Sequence, residues 1–320
     1  MQPIPEPPAP TISVVIPTYR REQVLVDTLH LVTPLLQPGD EMLVIDQTPV
    51  HGPQTEQALR ELADAGVIRW VRRDKPNTCA AMNAGARLAR GDVLLFLDDD
   101  VIPDTGLLEA HRVAMSRPDP PPAVCGQVLQ PWHQGPVPVV RDFALEFDPA
   151  YDKPCEILSP IACNLSLRRE TFLRVGGCDE NFAGPCYRLE TELSYRINRL
   201  LGRKVAFAPQ GRIVHLRAGG GTRTFGGKDT WGHIGGSMGD YYFAVRCLPW
   251  HRCAWYSLKR FVRAPVNRYT LRRPWLVPVL YVREAVAWLQ AAGRAWTKPN
   301  NYIKDAACYG ADVSPAPVAV

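Results

Sequence analysis

Several features that would assign this chain to a broad class are missing. No run of about 18 uncharged apolar residues is present. The best candidate, WLVPVLYV at 275–282, is interrupted at once by Arg283 and Glu284, so a spanning helix is not expected. None of the nine cysteines forms a C-x-x-C pair, which argues against a zinc ribbon or a dithiol redox centre. MQPIPEPPAP carries no secretory signal. The cysteines are therefore expected as reduced thiols in a cytoplasmic protein, not as a disulfide framework. No internal repeat is visible, so a solenoid is not expected. Acidic residues are nearly absent from one long stretch. From Arg246 to Lys304, twelve Lys or Arg accompany the single acid Glu284, a net +11; the whole chain carries +5, so the remainder sums to −6. Trp250, Trp255, Trp275, Trp288 and Trp296 lie in the same stretch.

What is present is organised around GDVLLFLDDDVIP at 91–103. Leu94, Leu95, Phe96 and Leu97 form an unbroken apolar run, which suits a strand buried on both faces of a parallel sheet. Asp98, Asp99 and Asp100 follow directly. Three adjacent charges cannot stay buried unpaired, so they must emerge where the strand leaves the core. In open parallel sheets that end is where ligands bind. Asp98 and Asp100, two residues apart, can face one site, and their hard oxygens suit Mg2+ or Mn2+ beside phosphate. An isolated acidic triplet is more often a solvated turn or a cap, so its surroundings decide.

Upstream, strands are predicted at 11–17, 41–46 and 67–71, separated by helices to about Leu36 and from Gln54 to Ala65. The small-residue segment 77–91 predicts a helix stopped by Gly91. This alternation predicts βαβ units and a parallel sheet. Downstream, a helix is expected from Asp104 to Met115, a strand at 123–129, and a short strand then a helix over 162–177. A helix from Glu190 to Leu201 and two short strands, KVAFAP and RIVHL, follow. The basic tail reads as helical, broken at Pro265, Pro274 and Pro278.

The ordered set SVVIPTYRRE, LVIDQT, NAGARLARGD before LLFLDDD, and CNLSLRRETFLRVGGCDENF before LETELSYRINRLLG resembles the family-2 glycosyltransferases. The resemblance covers roughly residues 11–217. It implies an α/β fold of GT-A type: a Rossmann-like, mostly parallel sheet flanked by helices, here with a C-terminal helical appendage. It also implies an inverting, metal-dependent enzyme of the hexosyltransferase class that moves sugar from a nucleotide diphosphate donor, a UDP-sugar foremost, to a glycan or lipid-linked acceptor. The expected divisions are a disordered tail at 1–10, the catalytic domain at 11–217, a glycine-rich loop and linker at 218–245, the basic module at 246–304 and a flexible tail at 305–320.

Residue roles follow from the same resemblance. Asp98 and Asp100 match the D-x-D pair that holds Mn2+ or Mg2+, with His215 as a further metal or diphosphate ligand. Asp46 matches the acid that contacts the nucleobase or ribose. Thr18, Tyr19, Arg20 and Asp99 fall in the nucleotide-binding region, and Arg223 in the glycine loop is expected to clamp the diphosphate. Glu190 stands where the family has its Asp base, with Glu192 as the fallback; two residues apart on a helix, they point to different faces. No Q-x-x-R-W motif occurs, which argues for transfer of a single sugar. The tail suggests an anionic membrane surface at the cytoplasmic face, reached peripherally, and no nucleic acid is expected. GGGTR also resembles the phosphate cradle of sugar-nucleotide pyrophosphorylases, but there it follows the first strand. A non-enzymatic binding protein with a degenerate body is the remaining alternative.

Overall fold

The computed structural model describes residues 9–133, 147–182, 186–221, 234–266 and 268–303. The first half of the chain alternates strand and helix: β1 (Ile12–Thr18), α1 (Gln23–Val32), β2 (Glu41–Asp46), α2 (Pro53–Asp64), β3 (Arg69–Arg72), α3 (Thr78–Leu88) and β4 (Val93–Leu97). Then come β5 (Val101–Pro103), α4 (Leu107–Met115), β6 (Val124–Leu129), β7 (Cys155–Ile157), β8 (Asn164–Arg168), α5 (Arg169–Arg174), α6 (Leu189–Leu201) and β9 (Val205–His215). Four helices close the described chain: α7 (Ile234–Cys247), α8 (Trp250–Arg263), α9 (Arg268–Leu271) and α10 (Leu276–Thr297).

The sheet runs β3-β2-β1-β4-β8-β6-β9-β5, with β7 paired to β9. The β3-β2-β1-β4 half is parallel throughout, as the strand–helix alternation predicts. Its strands are apolar on both faces because both faces are covered. Val15, Leu43, Ile45, Leu94 and Phe96 point to the side of α3. Val14, Ile16, Met42, Val44 and Leu95 point to the side of α1 and α4. Each such fully buried side chain contributes about 1.5–3 kcal/mol. Helix α3 is rich in small residues because it lies close against the sheet: a Cβ on Gly85 would come within 2.3 Å of Val15 Cγ1. Asn77 caps it by accepting from the Ala80 amide at 2.9 Å, the usual role of a short polar side chain there.

Beyond β4 the sheet mixes directions. β8 lies antiparallel to β4 and β6 antiparallel to β8, whereas β9 runs parallel to β6. The two short strands expected after α6 are one, because β9 continues through Pro209–Gln210–Gly211 with a register shift opposite Gly126 and Gln127. Gly91 does not stop α3, which ends at Leu88; it sits where a Cβ would be 2.8 Å from the Ser13 amide.

Glycine content predicts a linker over 218–245, but from Ile234 onward the chain is helix α7, with Tyr241, Tyr242 and Phe243 in the core. Pro278 does not break the tail. It lies in the first turn of α10, where amides have no helical partner to lose. The tail packs on the body. Ile303 donates its amide to Gly176 O at 2.8 Å, and Arg294 Nη1 donates to Asn181 O at 2.7 Å. Of its tryptophans, Trp288 is partly packed against the core, and Trp250, Trp255, Trp275 and Trp296 are exposed. Among the described residues no helix is long and apolar enough to cross a membrane.

Candidate active site

The ends of β1, β4 and β9 and the start of α6 open on one cavity of about 610 Å³. Thr18, Tyr19, Asp98, Asp99, Glu190 and His215 all line it. The acidic triplet divides only partly as alternation predicts: Asp98 and Asp100 both meet His215, yet Asp99 lines the cavity beside Asp98. Asp99 points to β1, accepting from Thr18 Oγ1 at 2.7 Å, with Arg21 Nε 3.2 Å away. Asp100 turns toward β9. Its Oδ2 accepts from the Ala218 amide at 2.8 Å and from Arg21 Nη2 at 3.2 Å. Arg21 also donates to Ala218 O and Gly219 O, both at 2.6 Å. One guanidinium therefore ties the end of β1, the triplet and the loop after β9 together.

His215 stands over the two outer carboxylates: its Nε2 is 3.3 Å from Asp98 Oδ2 and 3.1 Å from Asp100 Oδ1. Burial alone would raise Asp100, but His215, Arg21 and the Ala218 amide hold its carboxyl below the usual carboxylate range. His215 Nδ1 is buried without a hydrogen-bond partner among the described residues, and Asp100 Oδ1 has only the shared His215 Nε2 at 3.1 Å there. A donor set of two carboxylates and an imidazole with unmet bonding capacity fits a divalent cation. Cys163, just ahead of β8, joins them: one ligand atom each from Asp98, Cys163 and His215 lie within 4.8 Å of one another.

Glu190 sits in the first turn of α6, after a chain reversal in which Cys186 and Arg188 take positive φ values of 47° and 72°. Its surface is half-buried at the cavity wall. Burial pushes its carboxyl up to about 7; its own amide and Arg188 pull the other way, and Asp98 and Asp240 add to the rise. Glu192 is elsewhere. It is 2% exposed and accepts from Arg196 Nε at 2.5 Å, Arg196 Nη2 at 2.7 Å and Tyr302 OH at 2.9 Å. That carboxylate is a packing element, so the fallback base is not brought to the cavity.

Two further expectations are redirected. Asp46 does not line the cavity: it is fully buried and accepts from Thr48 N at 2.8 Å and Trp70 Nε1 at 3.0 Å, with His51 Nε2 at 2.9 Å. It fixes the loop after β2, and its neighbour Gln47 reaches the cavity instead. Arg20 is exposed, its guanidinium 5.2 Å from the centre of the Tyr19 ring. A positive φ of 51° at Arg20 turns Arg21 inward in its place. Arg21, Gln47, Cys163 and Arg188 line the cavity as well and were not singled out from the sequence. Of these, only Arg21 and Gln47 carried a signal, as neighbours of residues already chosen. Arg217 lines the cavity over the Trp132 ring, 4.9 Å from its centre. Arg223 lies outside the described residues, as does the rest of the glycine-rich loop from 222 to 233.

The profile of glycosyl transferase family 2 matches residues 13–172, half of the chain. Validoxylamine A glucosyltransferase of Streptomyces hygroscopicus subsp. limoneus is 26% identical over 218 residues, 59% of this chain and 48% of that protein. The chain thus spans about half the length of the curated relatives it matches. S. aureus TarS 1–349 in complex with UDP-GlcNAc superposes with a TM-score of 0.60 at 13% identity, covering 88% of this chain and 80% of that one. The mannosyltransferase PcManGT from Pyrobaculum calidifontis, in complex with GDP-Man and Mn2+, gives a TM-score of 0.54 at 18% identity, covering 89% and 75%. With the GT-A architecture shared with these structures and the family profile spanning β1 to α5, the chain belongs to glycosyl transferase family 2.

Proposed function

We propose that this protein is an inverting glycosyltransferase that moves one sugar from a nucleotide diphosphate donor to an acceptor hydroxyl. The observation that carries the reading is the pairing of Glu190, raised to about 7, with the Asp98–His215 group across one cavity. A carboxylate near 7 is matched to taking a proton at neutral pH. As the acceptor oxygen attacks the anomeric carbon, Glu190 accepts its proton. The bond from the anomeric carbon to the diphosphate oxygen breaks on the opposite face, and its electron pair leaves with the nucleoside diphosphate. Attack opposite the leaving group inverts the anomeric centre.

Asp98, Asp100 and His215 would hold Mn2+ or Mg2+, which when bound neutralises charge on the leaving diphosphate. Thr18, Tyr19 and Gln47 face the nucleotide side of the cavity, and Arg217 supplies positive charge beside the diphosphate, with Arg223 proposed to join it. A UDP-sugar is the favoured donor, in keeping with the UDP-GlcNAc bound by TarS, although PcManGT binds GDP-Man. The acceptor is proposed to be a glycan or lipid-linked molecule presented at an anionic membrane surface. The test is a panel of UDP-, GDP- and TDP-sugars with Mn2+ and candidate acceptors, read by release of nucleoside diphosphate and by NMR of the product anomer. Pyrophosphate release, or a retained anomeric configuration, would overturn the reading.

A further inference from the structure

The cation-facing group contains a sulfur. A buried cysteine is ordinarily a small hydrophobe, and Cys163 does belong to the buried cluster that includes Val101 and Ile213. Its position differs from that of an ordinary core thiol in two respects. It lines the catalytic cavity, and its Sγ completes a three-atom set with an Asp98 oxygen and a His215 nitrogen, all within 4.8 Å of one another.

A second observation points the same way. One imidazole nitrogen, His215 Nε2, meets carboxylate oxygens of both Asp98 at 3.3 Å and Asp100 at 3.1 Å. A single N–H cannot serve both well, and beyond that shared contact Asp100 Oδ1 has no further partner among the described residues although Asp100 is fully buried. A cation held between these atoms accepts all of them at once. Metal–sulfur bonds of about 2.3 Å and metal–nitrogen bonds of about 2.0 Å place two ligand atoms about 3.5 Å apart in a tetrahedral shell, so the side chains must draw together by up to about 1.3 Å from the 4.8 Å spread to close the set.

We propose that Cys163 is a protein ligand of this centre, which makes it a mixed oxygen, nitrogen and sulfur site that takes Zn2+ or Co2+ more tightly than Mn2+ or Mg2+. The proposal rests on the reading of Asp98 and His215 as cation-facing residues and adds the third donor. Thiolate and imidazole favour the softer, later ions, whereas Mg2+ and Mn2+ favour all-oxygen shells. Zn2+ then competes for the site and, with several protein ligands engaged, leaves fewer positions for a diphosphate.

The test is a Co2+ titration of chelator-treated full-length protein, followed by absorption and by calorimetry. The wild type is expected to show a near-ultraviolet thiolate-to-cobalt band together with visible bands. Cys163→Ser is expected to lose the near-ultraviolet band, keep Co2+ binding, and weaken Zn2+ at least about tenfold while changing Mn2+ far less. Cys163→Ala, with a thermal melt for each protein, guards against a folding defect in the serine variant. Co2+ binding to the wild type without a sulfur band would overturn the Cys163 ligand and leave Asp98 and His215 as the cation site. A band that survives in both variants would assign the sulfur to another cysteine and also overturn it. No Co2+ binding at all would overturn this proposal and the metal part of the functional reading together.

Discussion

Arg188 Nε donates to Asp240 Oδ1 across 2.9 Å, and through that bond the C-terminal helices hold the cavity wall. Asp240 is 1% exposed, belongs to α7, and also accepts from Tyr256 OH at 2.7 Å and pairs with Arg260. Arg188 stands two residues before Glu190. Gly239, one residue before Asp240, packs so closely that a Cβ would lie 2.4 Å from Tyr187 O. The helical appendage is thus part of the site's scaffold.

Asp240→Asn is expected to cost about 3–5 kcal/mol of stability, the range for stripping one partner from a buried pair, read as a shift of the urea midpoint. It carries a second signature. The Asp240 charge helps raise Glu190, so its removal lowers the Glu190 value and moves the acid limb of the pH–rate profile to lower pH. A destabilised variant with an unmoved acid limb would show that Asp240 braces the fold without tuning the base.

Glu190→Gln removes a proton acceptor and keeps the side chain's size. Transfer is expected to fall by about 10²–10⁴-fold, the usual contribution of a general base, with the donor-induced thermal shift unchanged. The wild-type rate should rise with pH through about 7, where the carboxyl loses its proton, and level off above. The variant should lack that limb. Activity within about tenfold of wild type would remove Glu190 from the role.

The sequence revealed those parts of this architecture that depend on local pattern. The apolar runs of β1, β2 and β4 and the 3.6-residue period of α6 each report their own burial. Strand direction does not, since alternation reads the same either way, and so the antiparallel β8 was invisible. Three-residue strands such as β5 and β7 exist only because β9 is long enough to pair with both. Within the candidate site, Asp98, Asp100, Glu190 and His215 could be singled out from the sequence because each ends or begins an element at one edge of the sheet. Asp46 also ends a strand, and nothing near it in sequence tells that Trp70 and His51 converge on its carboxylate. Cys163 belongs to no spacing motif, because its partners come from β9 and the β4 end.

The Asp46–His51 pair predicts a stability profile with two falling sides. Burial alone would raise Asp46, but His51, the Thr48 amide and Trp70 hold it below the ordinary range. Its contribution is present above the unfolded carboxylate value and is lost as pH falls through the lowered folded value. Burial alone would lower His51, but Asp46 and Glu22 raise it above 6.5. Its contribution is full below 6.5 and is lost as pH rises through the raised folded value. Urea melts across acidic to alkaline pH should therefore peak between the two values. His51→Gln should flatten the alkaline side, and an unchanged alkaline side would refute the pair.

The last prediction concerns the outer face of α8. Trp250, Ala254, Leu258 and Val262 recur every four residues, and Trp255 lies beside them; Trp250 is 83% exposed, Trp255 67%, Leu258 56% and Val262 51%. The opposite face turns inward, with Tyr256 and Arg260 directed to Asp240. Arg252, Lys259 and Arg263 border the apolar strip. A helix with its apolar face to solvent and basic residues along the edge suits the interface of an anionic membrane. The full chain is expected to pellet with vesicles containing phosphatidylglycerol at low salt, and much less with neutral vesicles or at high salt. Each basic residue near such a surface is worth about 1 kcal/mol, so the salt dependence should be steep. Trp250→Ser with Trp255→Ser should abolish pelleting without lowering the melting temperature, because neither ring supports the core. A wild-type protein that stays in solution with anionic vesicles at low salt, yet dimerises through this strip in analytical ultracentrifugation, would assign the face to self-association instead.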